Sequence, residues 1–296
     1  MSNSAFKKVA LISRPGKHSV PPTLIALARY LQAIEIDVVV ESQTAEMMAN
    51  QALTIVDRQA IAEHAELIIV VGGDGSFINA AHIAAAQNLP ILGINRGRLG
   101  FLTDIYPYEL EAISNVLSGQ YQVEQRFMLE AHIGAAEKAL ALNEVVLLPG
   151  DAAHMIEFDI HINDNYVCHQ RADGLIIATP TGSTAYALSG GGPILHPGLN
   201  AVVLLPMFPH VLSSRPIVVD CDSQIRIEIS KTTKTVPFVS CDGHQRIALL
   251  AGEELCIGLH QKKITLIHPH NYNYYATLQT KLGWQTRASI RETIDQ

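Results

Sequence analysis

The segment Leu67-Ile-Ile-Val-Val-Gly-Gly-Asp-Gly-Ser76 runs an apolar strand into a glycine turn with a carboxylate, Asp74, at its centre. Glycines at 72, 73 and 75 let backbone N–H groups approach a ligand closely. The alanine-rich stretch 76–86 reads as a helix, so an anion at the turn would also face a helix N-terminus. A carboxylate in an anion cradle repels its ligand unless it meets a metal or takes a proton, which points to Asp74 as a chemical group in phosphate chemistry. The plainer alternative is an ordinary first-turn helix acid. The turn is not a dinucleotide fingerprint, because Ile78 stands where the third glycine belongs. The Gly16-Lys17 pair lacks the flanking residues of a P-loop.

A second run, Asp173-Gly-Leu-Ile-Ile-Ala-Thr-Pro-Thr-Gly-Ser-Thr-Ala-Tyr-Ala-Leu-Ser-Gly-Gly-Gly192, follows a buried strand with hydroxyls and glycines that core packing does not require. Its hydroxyls and amides can hydrogen-bond a nucleotide, and Tyr186 can pack on a base or ribose; the plainer reading is a Ser/Thr loop that caps a helix. Asn143-Glu144 interrupts the apolar run 140–148, either because a strand end opens on a site or because the pair is solvated. Arg96 and Arg98 add charge for a triphosphate or sit in a solvated loop. None of the thirteen histidines forms H-E-x-x-H, and His268-Pro-His270 reads as a strand exit, so no metal site is assigned.

The elements that must hold these residues alternate through the first hundred positions. Strands are expected at 9–13, 37–41, 67–71 and 90–95, with helices at 22–33, 55–65 and 76–86 between them, a βαβ rhythm that implies a parallel sheet. Ligands of such sheets lie beyond the carboxyl ends of the strands, where Asp74 and the 95–100 turn both fall. From about Arg126 the pattern changes to short strands at 127–133, 140–148, 155–162, 166–170 and 175–179. Others follow at 201–205, 217–219, 225–229, 238–241, 255–259 and 263–267, a series that suggests a β-sandwich. Asn163-Asp164 marks a hairpin turn, and 274–282, closed by Gly283, reads as a helix.

Composition narrows the partners. The chain has 296 residues, 48% of them hydrophobic and 17% charged, with a formal net charge of -7, values of a globular protein without general attraction for nucleic acid or anionic membrane. The four cysteines show no C-x-x-C spacing, and there is no apolar signal core or membrane-length run, so reduced thiols and a cytoplasmic location are expected.

With both runs in view, the chain resembles the bacterial NAD kinases over nearly its whole length. The resemblance is carried by GGDG at Gly72 to Gly75, NE at Asn143-Glu144, DG at Asp173-Gly174, TPTGSTAY at Thr179 to Tyr186, and GINRGRLGFLTD at Gly93 to Asp104. It implies an α/β N-terminal domain with a parallel sheet (1–102), a β-sandwich-like C-terminal domain that binds NAD (103–270), and a C-terminal helix (271–296) returning to the first domain. It also implies conversion of ATP and NAD to ADP and NADP, with Asp74 as the base on the 2'-hydroxyl of the adenosine ribose and Gly75 lining the cradle. Asn143 and Glu144 would hold NAD ribose or nicotinamide-side groups, and Asp173 the nicotinamide end. Thr184, Ala185, Tyr186, Ala187, Leu188 and Ser189 would meet the adenosine portion, and His154 and Arg171 would add substrate contacts. His244 stands where relatives often carry Gln. A divalent metal such as Mg²⁺ would arrive with ATP, and the protein would be a homo-oligomer, a dimer or tetramer. A lipid or sugar kinase with a related GGDG loop and a nucleotide sensor without catalysis are the alternatives; loss of turnover in Asp74→Asn separates the sensor from the kinase.

Overall fold

The computed structural model describes residues 5–14, 20–48, 53–97, 100–134, 137–151, 154–231, 233, 235–244, 246–250 and 252–284. The chain forms two compact units, Met1–Glu124 with Ile264–Gln296, and Gln125–Lys263.

In the first unit, β1 (Lys8–Ile12), β2 (Asp37–Glu41), β3 (Thr54–Val56), β4 (Leu67–Gly72), β5 (Ile91–Asn95) and β6 (Tyr121–Arg126) are joined through α1 (Val20–Ala33), α2 (Ser42–Ala45), α3 (Ile61–His64), α4 (Asp74–Gln87) and α5 (Leu110–Leu117). The sheet runs β3-β2-β1-β4-β5, with each of these pairings parallel. The chain works outward from β1 and then returns to lay β4 on β1's other side. The carboxyl ends of β1 and β4 therefore meet at the reversal, the position where open α/β sheets bind ligands. Ser13 Oγ donates to Val71 O there at 2.6 Å. On one face, Leu24, Leu27 and Leu31 of α1 and Ile113, Val116 and Leu117 of α5 pack on Val9, Leu11, Leu67, Ile69 and Ile94. Their i, i+3/i+4 spacing turns one stripe of α1 to the sheet, and each such buried side chain contributes about 1.5–3 kcal/mol.

The helix expected over 55–65 is a correction. Thr54–Val56 is a strand paired with Val39–Glu41, followed by a 3₁₀ turn at Arg58–Ala60 and only four residues of α3. Three consecutive β-branched residues, Thr54, Ile55 and Val56, satisfy a sheet edge better than a helix.

The second unit contains β7 (Leu129–Ile133), β8 (Glu137–Ala141), β9 (Glu144–Leu148), β10 (Ile156–Ile162), β11 (Asn165–Ala172), β12 (Gly174–Ala178), α6 (Tyr186–Ser189), β13 (Ala201–Met207), β14 (Ile217–Asp220), β15 (Ile225–Ile229), β16 (Phe238–Cys241), β17 (Ile247–Ala248) and β18 (Glu254–Leu259). They make two six-stranded sheets, β11-β10-β15-β18-β7-β8 and β14-β13-β12-β9-β16-β17. Phe158, Ile160, Ile227, Leu255 and Ile257 of one sheet share a core with Val145, Leu147, Leu175, Ile177, Leu204 and Val239 of the other, which is the expected sandwich. The second sheet is also covered on its outer face, where Val146, Ile176, Ala178, Val203 and Leu205 pack with Ala187 and Leu195. Burial on both faces explains why β12 reads as a continuous apolar run.

Two further strand expectations are corrected. The run 140–148 is not one strand: β8 and β9 belong to different sheets, and the chain crosses between them at Leu142-Asn143. The strand at 263–267 is not part of the sandwich. It is β19 (Ile264–Pro269), parallel to β5 in the first unit with Leu266 opposite Ile91, followed by α7 (Tyr274–Leu282). The units accordingly divide at Glu124/Gln125 and Lys263/Ile264, where the sequence reading set boundaries at 102/103 and 270/271. Asn273 caps α7 by accepting from the amides of Tyr275 and Ala276, and Gly283 closes it at φ 64°. Lys281 Nζ sits 5.4 Å from the centre of the Phe101 ring.

Candidate active site

Gly72 ends β4, Gly73 caps α4 in an extended conformation, and Asp74 is the first residue of the helix. A Cβ on Gly72 would lie 2.5 Å from Ser76 Oγ, so the turn closes only with glycine there. The amides of Ser76 and Phe77 both bond to Gly73 O, at 2.9 and 3.1 Å, while those of Asp74 and Gly75 lead the helix with no carbonyl a turn behind them inside it, the geometry that can receive an anion. Asp74 is half-buried, and both of its oxygens are held: Oδ2 accepts from the Phe101 amide at 2.9 Å and Oδ1 from the Leu102 amide at 3.1 Å. The carboxylate is thereby fixed in orientation and keeps lone pairs for an incoming hydroxyl. Gly100 makes this approach possible, since a Cβ on it would stand 2.0 Å from Asp74 Oδ1 and 2.4 Å from Thr103 Oγ1. Thr103 Oγ1 is itself buried and has no hydrogen-bond partner among the described residues. Gly75 is exposed, with open space where a side chain would project. Arg96 follows β5 at the same carboxyl end of the sheet, its amide bonded to Gly72 O at 2.8 Å; Arg98 lies outside the described residues.

In the second unit the NE pair, the TPTGST turn and an Asp-Gly turn form one hydrogen-bonded knot. The Asp242 carboxylate accepts from the amides of Leu142, Asn143 and Glu144 at 2.8, 2.8 and 3.2 Å. Asn143 O accepts from the Thr179 amide at 2.9 Å, while Thr179 Oγ1 donates to Leu142 O at 2.6 Å. A Cβ on Gly182 would come within 2.1 Å of Asn143 O. Ser183, fully buried, ties the turn to Leu195, and Arg126 Nη1 donates to Thr181 Oγ1 at 2.9 Å.

Two polar atoms in this knot lack partners among the described residues although they are buried: Asn143 Oδ1 and Glu144 Oε2. An unmade hydrogen bond on a buried group costs about 1–3 kcal/mol, so such atoms mark a place prepared for a ligand. Burial and the neighbouring Asp242 charge push the Glu144 carboxyl up to about 8, against the opposing pull of the Tyr186 amide.

Thr184 and Ala185 are half-buried and Tyr186 and Ser189 exposed at the outer side of this knot. Ala187 is buried in the apolar layer over β12, and Leu188 is half-buried. A cavity of about 560 Å³ runs from Tyr186 and Ser189 past Leu205 to Met207 and Phe208. At its far end the Asp173 amide donates to Met207 O at 2.9 Å. Five residues of β12 thus separate the Asn143/Glu144 end from Asp173, a span of roughly 17 Å at ~3.3 Å per residue. The structure therefore gathers Asn143, Glu144, Thr184–Ser189 and His244, which follows the Asp242-Gly243 turn, at one end of β12, and Asp173 and Arg171 at the other. His154 is exposed just ahead of β10, and Arg171 Nε reaches Glu157 Oε1 at 3.6 Å. Sequence reasoning missed the roles of Asp242, Gly100 and Arg126; the Asp242-Gly243 pair directly after the short strand Phe238–Cys241 was the available signal for the first.

A carboxylate fixed in a glycine turn at a helix N-terminus, at the carboxyl end of a parallel sheet, is the arrangement of a phosphotransferase. Family models agree: residues 9–124 match the ATP-NAD kinase N-terminal domain and residues 142–268 the ATP-NAD kinase C-terminal domain. The chain is 54% identical over 293 residues to an NAD kinase of Coxiella burnetii, covering 98% of each, and 50% identical over 287 residues to one of Chromohalobacter salexigens, covering 95% of this chain and 98% of that one. Among solved structures it is similar to yeast NADH kinase complexed with NADH (TM-score 0.85, 25% identity, 96% of this chain and 89% of that one). It is also similar to an NAD kinase from Archaeoglobus fulgidus in complex with ATP (TM-score 0.71, 26% identity, 92% and 98%). The chain belongs to the ATP-NAD kinase family, phosphotransferases that use ATP to phosphorylate NAD.

Proposed function

We propose that Asp74 is the general base that takes the proton of the adenosine-ribose 2'-hydroxyl of NAD as the phosphoryl group arrives from ATP. The observation that carries this reading is the Asp74 carboxylate itself, clamped by the Phe101 and Leu102 amides at the N-terminus of α4. Phosphoryl transfer passes through a loose transition state, so holding the hydroxyl in line matters more than strong basicity, and an ordinary carboxylate suffices. The amides of Gly75 and its neighbours line the phosphate cradle. Asn143 Oδ1 and Glu144 Oε2 receive ribose hydroxyls, Thr184 to Ser189 the adenosine portion and Asp173 the nicotinamide end, with His154, Arg171 and His244 as further contacts.

The one grouping of three metal-ligating side chains among the described residues, Asp220, Cys221 and Asp222, is in the second unit and does not include Asp74. The donor set at Asp74, one carboxylate and backbone amides, is short of a metal cage, so Mg²⁺ enters as part of the donor substrate, MgATP. The exposed apolar side chains Phe208, Val211 and Leu212 support a homo-oligomer, a dimer or tetramer, checked by light scattering on purified protein. All four cysteines are free, which supports a cytoplasmic location. Among the described residues no helix is long and apolar enough to cross a membrane.

The test is NADP formation from NAD and MgATP by wild type and Asp74→Asn, beside calorimetric NAD binding. Turnover should fall by about 10²-fold or more with binding retained; an Asn variant that turns over like wild type refutes the base assignment.

A further inference from the structure

His268, on β19, is buried among three groups the reaction does not explain. Its Nδ1 lies 2.5 Å from Asp104 Oδ2, its Nε2 3.1 Å from Glu124 Oε2 on β6, and Tyr272 stacks on its face at 3.9 Å and 11°. A neutral imidazole has one donor and one acceptor nitrogen, so it would turn a lone pair on one of the two carboxylates. Only the imidazolium donates to both.

Asp104 closes the segment whose amides hold Asp74. From Phe101 and Leu102 the chain passes Thr103 to Asp104, and Ile105 is then fastened to β5, its carbonyl accepting from the Asn95 amide at 2.7 Å. The segment is thus tied by a backbone bond at 105 and a side-chain clamp at 104.

We propose that His268 is a positioning residue for phosphoryl transfer: its doubly protonated ring clamps Asp104 and Glu124 and so holds the 100–104 segment where its amides orient the Asp74 carboxylate. The proposal deepens the reading of Asp74 as base and rests on it. The charges acting on the ring are Asp104 from the segment and Glu124 from β6. β5 carries no ionisable side chain, and Asp74 and His82 of α4 and Glu111 of α5, the helices packed on β19, are not among the charges that shift it. Burial opposes the charge, but the hydrogen bonds and charges of the two carboxylates outweigh it and hold His268 above the usual imidazole value. The clamp is therefore complete below the ordinary value of about 6.5 and is lost as pH rises through the raised one.

The test compares kcat–pH profiles of full-length wild type and His268→Gln at saturating NAD and MgATP. Glutamine fills similar space but offers N–H donors at one end only. Its kcat should be about 10-fold lower at pH 7, as for a small misplacement of a catalytic group, with KM for NAD changed less than about 2-fold. The wild-type rate should descend toward the variant's at alkaline pH. A ratio of rates that is constant with pH, or equal rates throughout, overturns the proposal. If His268→Gln does not fold, Glu124→Gln serves instead: it should move the alkaline limb to lower pH, and an unmoved limb overturns the clamp. Amide hydrogen exchange at Phe101 and Leu102 reads the segment without turnover, and should quicken in whichever variant folds. If Asp74→Asn stays active, the base assignment fails while exchange still judges the clamp; if that variant is dead but exchange and pH profile are unmoved, the clamp alone fails.

Discussion

Gly100 and Glu144 show how far single side chains are constrained by the site. A methyl at position 100 would occupy the space of Asp74 Oδ1, so Gly100→Ala must displace the carboxylate or the segment. The expected result is a loss of kcat of about 10-fold or more with NAD affinity preserved, read from steady-state kinetics beside calorimetry. Glu144 makes the opposite bargain. Its carboxyl, pushed up to about 8, keeps a proton in the folded chain that it gives up in the unfolded one between pH 4.5 and 8, so it costs stability progressively as pH rises across that window. Glu144→Gln should therefore raise the melting temperature at pH 8 more than at pH 5, while raising KM for NAD. A lower melting temperature at pH 8 would contradict it. At this scale the sequence was legible where a motif spelled itself out, as in Gly72 to Ser76. It read His268 only as part of a strand exit, because a histidine between Ile267 and Pro269 has no spacing to announce two carboxylates more than a hundred residues away.

Elements were legible where local chemistry decides them. Asn163 and Asp164 both adopt left-handed angles, φ 49° and 63°, the two-residue turn that joins β10 and β11. Replacing Asp164 by Gly should stabilise the protein by up to about 1 kcal/mol with kcat unchanged, measured by thermal melts and turnover, because glycine takes that angle without steric cost. The α7 helix likewise carries its own start and stop in Asn273 and Gly283. Elements that depend on distant partners were not legible. Leu140 to Leu148 looks like one strand because nothing local says that Asp242 will capture three consecutive amides at 142–144 and turn the chain into another sheet. Gly182→Ala, which would press a methyl into Asn143 O, should loosen that knot, lowering both the melting temperature and NAD affinity.

At the scale of the molecule, the second unit is a continuous segment with its own two-sheet core, whereas the first is completed by residues that come after it. A fragment of residues 125–263 should melt cooperatively on its own by circular dichroism and show no phosphoryl transfer, lacking Asp74. The class of both units was readable from the change of period near Arg126; where they divide was not. The assignment of β19 was not, because a short apolar strand does not encode which sheet it will join. That late strand has a consequence for a chain emerging from the ribosome. The Asp74 turn is made early, yet the ring that fastens its supporting segment sits on β19 and is translated only after the entire sandwich, so a growing or prematurely terminated polypeptide displays the GGDG loop without the buttress behind it. The full catalytic rate in this way awaits synthesis past His268.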